Sequence, residues 1–225
     1  MDSDGNVLLR DVTVRYGRRI ALEAVSGEFA SGSLTAIVGA NGAGKSTLLA
    51  AIAGVVRPAG GAVYHAARQR IAYLPQLVEI DRDYPITVSE LITLGGWREF
   101  GAFRSPGTAL QARAASAAET VGLAGQGNRP VGEMSVGELQ RALFARVIIQ
   151  DAAVILLDEP FAAVDASTSS VLLEQMIRWH EEGRTVIAVL HDLALVRARF
   201  PSTLVLARRC LAWGRTEAAL PAMTA

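Results

Sequence analysis

Lysine is nearly missing from this sequence. Of its 22 basic residues, 21 are arginine and one, Lys45, is lysine. Cysteine is as scarce: Cys210 stands alone, which excludes an internal disulfide. The opening "MDSDGNVLLR" has none of the basic, apolar and small-residue order of a secretory leader, so a reducing, cytoplasmic setting is expected. The three histidines, His65, His180 and His191, have no ligand spacing among themselves or with Cys210, and no metal site of the chain's own is expected. Excess charge is also lacking. With 22 basic against 22 acidic residues the formal charge is +0, which leaves no electrostatic footprint for nucleic acid or an anionic lipid surface. The longest charge-free run, Phe29 to Gly44, is broken by Ser, Asn and Gly. It falls short of the ~20 apolar residues that a membrane-spanning helix needs. Internal repeats, low-complexity tracts and long linkers are absent too.

What remains is a chain of 225 residues, 51% hydrophobic, able to bury a sizeable core as one domain or as one domain with an inserted lobe. Its lone lysine falls within "LTAIVGANGAGKSTLLAAIAG". The pattern predicts a buried strand over Leu34–Val38, a glycine-rich turn, and a helix from about Lys45 that stops at Gly54. Glycine at 39, 42 and 44 lets the backbone turn sharply and present N–H groups to an anion at the positive end of a helix dipole. Gly39 to Ser46 fits G-x-x-x-x-G-K-[ST], in which the lysine reaches the β- and γ-phosphates and the hydroxyl ligates Mg²⁺. A compact ammonium enters such a closed loop where the broad arginine fork would not. Gly39, Ala40, Asn41, Gly42, Ala43, Gly44, Lys45, Ser46 and Thr47 are therefore expected to hold a nucleoside triphosphate.

Downstream, "DAAVILLDEP" carries an apolar run, Ala152 to Leu157, that ends in Asp158 and Glu159. This is expected to be a second buried parallel strand with carboxylates at its C-terminal edge, where ligands of open α/β sheets collect. One acid would hold Mg²⁺ and the next would polarise an attacking water, which favours hydrolysis over binding alone. In "MSVGELQRALFARVIIQ", Ser135 and Glu138 form a capping box for a helix to about Gln150. Taken alone, that stretch is a helix start and nothing more.

The order of these elements resembles the nucleotide-binding subunit of ATP-binding-cassette (ABC) transporters from about Val7 to Leu220. "GANGAGKS" is similar to the family's Walker A loop and "AVILLDE" to its Walker B strand. Tyr16, in "VTVRYGRR", matches the aromatic residue that stacks on adenine, and Gln76, in "AYLPQ", the glutamine that senses Mg²⁺ and the γ-phosphate. "MSVGE" lies where the family has its signature loop, usually Leu-Ser-Gly-Gly-Gln. Asp165, in "FAAVDAST", matches the D-loop, and His191, in "VLHD", the switch histidine. Two departures stand out: Val136 replaces the first signature glycine and Glu138 the glutamine, while Ser135 and Gly137 remain.

The resemblance implies an α/β fold: a phosphate-loop ATPase core with an N-terminal antiparallel β portion and a helical lobe at roughly 77–145, all in one domain spanning 1–225. It implies Glu159 as general base, with His191, Lys45 and Gln76 as its catalytic companions. Ser46, Gln76 and Asp158 would hold Mg²⁺ beside ATP. Ser135, Gly137 and Glu138 would face the ATP of a second copy, with Asp165 alongside. The expected partners are a second copy of the chain, an integral membrane permease and an extracellular or periplasmic solute-binding protein, with no nucleic acid. The chain would be peripheral on the cytoplasmic face of the cell membrane. By position, "LVEIDRDYPITVSELI", with Tyr84 and the acids Asp81 and Asp83, would line the groove that receives the permease. That segment, "FAAVDAST" and "LAWGRTEAAL" are similar to the branch serving zinc and manganese importers. A cassette for another cargo such as an iron chelate, and a non-transport ATPase of the same type, stay open as alternatives. The latter lacks its usual marks here: there is no long coiled-coil insertion and no second cassette.

Overall fold

A computed structural model describes residues 6–66, 69–76, 85–101 and 104–223. The chain divides into two compact units, one formed by Met1–Pro75, Ala152–Glu159 and Ile177–Ala225, the other by Gln76–Asp151 and Pro160–Met176.

The first unit holds two sheets. Strands β1 (Val7–Tyr16), β2 (Arg19–Phe29) and β4 (Gly60–His65) form an antiparallel sheet in the order β2-β1-β4. The expected N-terminal antiparallel portion is therefore present. β1 buries Val7, Leu9, Val12 and Val14. Their alternation is shifted once where Asp11, at φ 49°, bulges out and bonds Ser26. The second sheet runs β5-β6-β7-β3-β8-β9, with β3 (Leu34–Val38), β5 (Ile71–Leu74), β6 (Val154–Asp158), β7 (Thr185–Val189), β8 (Ser202–Ala207) and β9 (Arg209–Arg215). Its first five strands are parallel and β9 is antiparallel to β8. Every residue of β3, β6 and β7 is buried, as continuous apolar runs in the middle of a parallel sheet should be. Helix α1 (Lys45–Ile52) follows β3 and buries Leu48, Leu49 and Ile52 in a core shared with Leu22, Phe29 and Ile37. Phe29 and Trp213 join the two sheets, their ring centroids 4.4 Å apart.

The second unit is helical. Helices α2 (Val88–Thr93), α3 (Trp97–Phe100), α4 (Thr108–Thr120) and α5 (Val136–Ile149) follow one another in the chain, and α2, α4 and α5 pack together. The predicted capping box of Ser135 with Glu138 forms, and Thr87, three residues before Glu90 in the sequence, makes a second one. Leu110, Ala114, Ala117 and Val121, which the helical period of the sequence puts on one face of α4, are all buried. Arg113 donates from Nη2 to the Ile149 carbonyl at 2.7 Å, closing the C-terminal end of α5. Helix α6 (Ala166–Glu181) starts in this unit and ends in the first, followed there by α7 (Leu193–Arg199) and α8 (Thr216–Ala219). Among the described residues, no helix is long and apolar enough to cross a membrane.

Candidate active site

Sheet order decides what meets. β6, β7 and β3 are neighbours and parallel, so the segments leaving their C-terminal ends emerge side by side. The first is the glycine loop. A Cβ on Gly39 would come within 2.1 Å of the Leu206 carbonyl oxygen, and one on Gly44 within 2.5 Å of the Ala21 carbonyl. Glycine is thus required at both ends of the loop by the strands on which it lies. Ala43 N donates to Ala40 O and closes the turn, and Gly44, at φ 95°, opens α1. The first-turn N–H groups of α1 have no intrahelical acceptors, which makes the loop a cradle for an anion.

Lys45 is the first residue of α1 and only 6% exposed. Its Nζ donates to the carbonyls of Gly39, at 2.9 Å, and Ala40, at 3.1 Å. Burial holds its pKa below the usual lysine value, against the opposing pull of Glu159 and Asp158. The lone lysine therefore stands inside the loop, within the field of both acids. Asp158 ends β6, 1% exposed and opposite Val189 in register. Glu159 follows at φ 50°, a left-handed backbone that a non-glycine residue adopts at a cost of about 1–3 kcal/mol. His191 lies just past β7, and its Nε2 is 2.8 Å from Glu159 Oε1. Asp192 caps α7, accepting from Ala194 N and Leu195 N, and so fixes the backbone beside His191.

Tyr16 ends β1, 53% exposed. Its register partner across the hairpin is Arg19, a residue that the sequence reading did not single out. The Arg19 guanidinium reaches the loop: its Nη2 would lie 3.6 Å from a Cβ at Gly42. Among the described residues no carboxylate forms an ion pair with it. Arginine following Tyr-Gly was the available signal, but only the packing of β2 along the loop gives it meaning.

The other predicted residues lie in the second unit. Gln76 is half-buried, two residues past the end of β5. Ser135, exposed, is the N-cap of α5 and accepts from Glu138 N. A Cβ on Gly137 would stand 2.4 Å from the Ala163 carbonyl, so this glycine lets the segment before Asp165 cross the start of α5. Asp165 accepts from Ser167 Oγ, Thr168 N and Thr168 Oγ1, bonds that hold its carboxyl far below the usual range. Glu138 is engaged within its own unit. Oε2 accepts from Ser135 N and Oε1 from Arg129 Nη1, at 2.8 and 2.7 Å, and its pKa is lowered to about 2 by these bonds. Tyr84, Asp81 and Asp83 lie outside the described residues. No group of three or more His, Cys, Asp or Glu side chains is placed to hold a metal among the described residues.

A phosphate-type loop holding a buried lysine, a buried aspartate at the next strand end but one, and a glutamate bonded to a histidine on the strand between make a triphosphate-hydrolysing arrangement. The model of the ABC transporter family matches residues 22–162. This chain belongs to that family. The cassette is an ATPase of the ABC type, and two sequence relatives match it nearly end to end. The manganese transport system ATP-binding protein MntB of Listeria monocytogenes is 36% identical, over 93% of this chain and 90% of its own. The zinc transport system ATP-binding protein TroB of Treponema pallidum is 36% identical, over 95% of the cassette and 82% of TroB. Among solved structures, the dimeric cassette MJ0796 bound to ADP and Pi shares the fold with a TM-score of 0.81 at 24% identity, covering 93% of this chain and 98% of that one.

Proposed function

We propose that this cassette hydrolyses ATP to drive import of a divalent transition metal, manganese or zinc, through an integral membrane permease on whose cytoplasmic side it sits. Two copies would work together, with a solute-binding protein delivering the cargo outside. One observation carries the cargo assignment: identity of about 36% over nearly the whole chain to ATP-binding proteins named for manganese and for zinc transport.

Each site residue has a task in this reading. Tyr16 stacks on the adenine, and Arg19 approaches the nucleotide where it passes Gly42. The loop amides of Gly39 to Thr47 and the Lys45 ammonium take the β- and γ-phosphates. The Ser46 hydroxyl, the Asp158 carboxylate and the Gln76 amide are hard oxygen donors that suit Mg²⁺, which when bound neutralises charge on the phosphate oxygens. Glu159 takes a proton from water as the water oxygen bonds to the γ-phosphorus and the bond to the departing ADP oxygen breaks. His191, already bonded to Glu159, orients that carboxylate and the γ-phosphate. Ser135 and Gly137 meet the triphosphate held by the other copy, beside Asp165.

Deleting the gene in a strain without a redundant importer should impair growth under manganese or zinc limitation, and restoring that metal should rescue it. Rescue by an iron chelate alone would reassign the cargo. Normal growth and metal content would remove the proposal.

A further inference from the structure

The stretch Met134–Glu138, which lies where the family has its signature loop, begins at the buried Met134 and exposes Ser135 and Val136. Ser135 and Gly137, the two residues proposed above to meet the triphosphate of the other copy, open α5, and the 3₁₀ turn Val131–Glu133 precedes them. One side chain reaches both flanks of that loop. Arg129 Nη2 donates to the Glu133 carbonyl, two residues before Ser135. Arg129 Nη1 donates to Glu138 Oε1 at 2.7 Å, three residues after Ser135, and to Gln126 Oε1 at 3.0 Å. The relay continues through the carboxylate, since Glu138 Oε2 accepts from Ser135 N. A planar fork with several donors suits such divergent acceptors; a lysine ammonium would not span them.

The backbone of Arg129 is equally committed. Its carbonyl accepts from Val88 N, Gly127 O accepts from Ser89 N, and Val131 N donates to Ile86 O. The segment 127–131 therefore runs along the start of α2, and the Arg129 side chain extends this anchored backbone to the start of α5. Charge matters as well. A carboxylate in the first turn of a helix that must accept a triphosphate would repel it unless paired. At this position Arg129 supplies the missing positive charge.

Building on the proposed cross-dimer site, we infer that Arg129 is a positioning residue for the partner's ATP: it fixes Ser135 and Gly137 and cancels the charge of Glu138. It touches no nucleotide itself. Arginine at 129 and glutamate at 138 then form one device, in which the pair substitutes for a neutral residue at 138.

The test uses the purified chain carrying Glu159→Gln, so that bound ATP persists, and reads three quantities. These are the ATP concentration for half-maximal dimerisation by light scattering, the affinity of each variant's own site for a fluorescent ATP analogue, and the thermal midpoint. Arg129→Ala should raise the ATP required by about tenfold, the worth of a lost charge-assisted bond, while own-site affinity changes less than about twofold. Adding Glu138→Gln should restore much of the loss, because the uncancelled charge is gone. Arg129→Lys, which keeps charge but not the fork, should fall between; it also serves as the test if the alanine variant does not fold. Dimerisation of Arg129→Ala and Arg129→Lys at the parental ATP concentration would overturn the inference. So would a loss of own-site affinity in the same proportion. Ser135→Arg separates the two levels. If it dimerises as the parent does, the cross-dimer site itself is wrong and the inference falls with it; if it fails to dimerise while both Arg129 variants succeed, only the role of Arg129 is refuted.

Discussion

His191 Nε2 lies 2.8 Å from Glu159 Oε1, although the two residues are 32 positions apart in the chain. Parallel pairing of β6 with β7 brings them together, since Asp158 is in register with Val189 and each side chain follows just beyond. The left-handed backbone at Glu159 turns its carboxylate out of the buried strand, and the histidine then holds it. Glu159→Gln retains the shape but not the base. Steady-state hydrolysis should fall by ~10²–10⁴, the usual worth of a positioned general base, with ATP affinity nearly intact. A variant that keeps more than a tenth of the parental rate would take the base role from Glu159.

Lys45 is the one lysine, so it is the one side-chain amine that an acylating probe can reach. Its lowered pKa means that more of it is neutral, and hence nucleophilic, at a given alkaline pH than of an ordinary lysine. Labelling should therefore begin at lower pH than for a free lysine once the probe enters the loop, and Mg·ATP should suppress it. Peptide mapping that finds equal modification with and without saturating nucleotide would place the ammonium away from the phosphates.

Arg19→Ala should weaken nucleotide binding by about tenfold, as expected for one charge-assisted contact, without lowering the thermal midpoint of an exposed hairpin end. Titration with a fluorescent ATP analogue measures the first effect and differential scanning fluorimetry the second. Unchanged affinity would make Arg19 a solvated neighbour of Gly42.

Gly137→Ala puts a methyl group where the Ala163 carbonyl stands at 2.4 Å. Backbone has to move, at a cost of about 1–3 kcal/mol, so the thermal midpoint should drop by several degrees and ATP-driven dimerisation should weaken. A midpoint equal to that of the parent would show that the crossing is looser than the structure places it.

Glu138 has its folded pKa lowered from the ordinary 4.5 to about 2. A depressed carboxylate contributes stability above the unfolded value, and that contribution disappears as pH falls through the folded value. Glu138→Gln should therefore lower the thermal midpoint near pH 7, with the difference shrinking between about pH 4.5 and 2. A difference that is the same at both ends of this window would assign the loss to shape and not to charge.

Local chemistry was legible in the sequence because it depends on neighbours in the chain. The strand Leu34–Val38, the glycine turn with Lys45, the apolar run ending at Asp158 and both capping boxes follow from periodicity, backbone freedom and side chains that reach three residues. The buried stripe of α4 was readable for the same reason. Strand order was not readable, and strand order sets Glu159 beside His191. Nor was the path of β2 along the glycine loop, which brings Arg19 to Gly42 and makes Ala21 the reason for Gly44. Arg129 belongs to no motif and merely precedes a proline in the sequence; only the pairing of its segment with the start of α2 aims its fork at Glu133 and Glu138. Short-range rules determined which groups this protein possesses. Burial of its apolar strands in one particular order, a choice made by the whole chain at once, decided which of those groups meet.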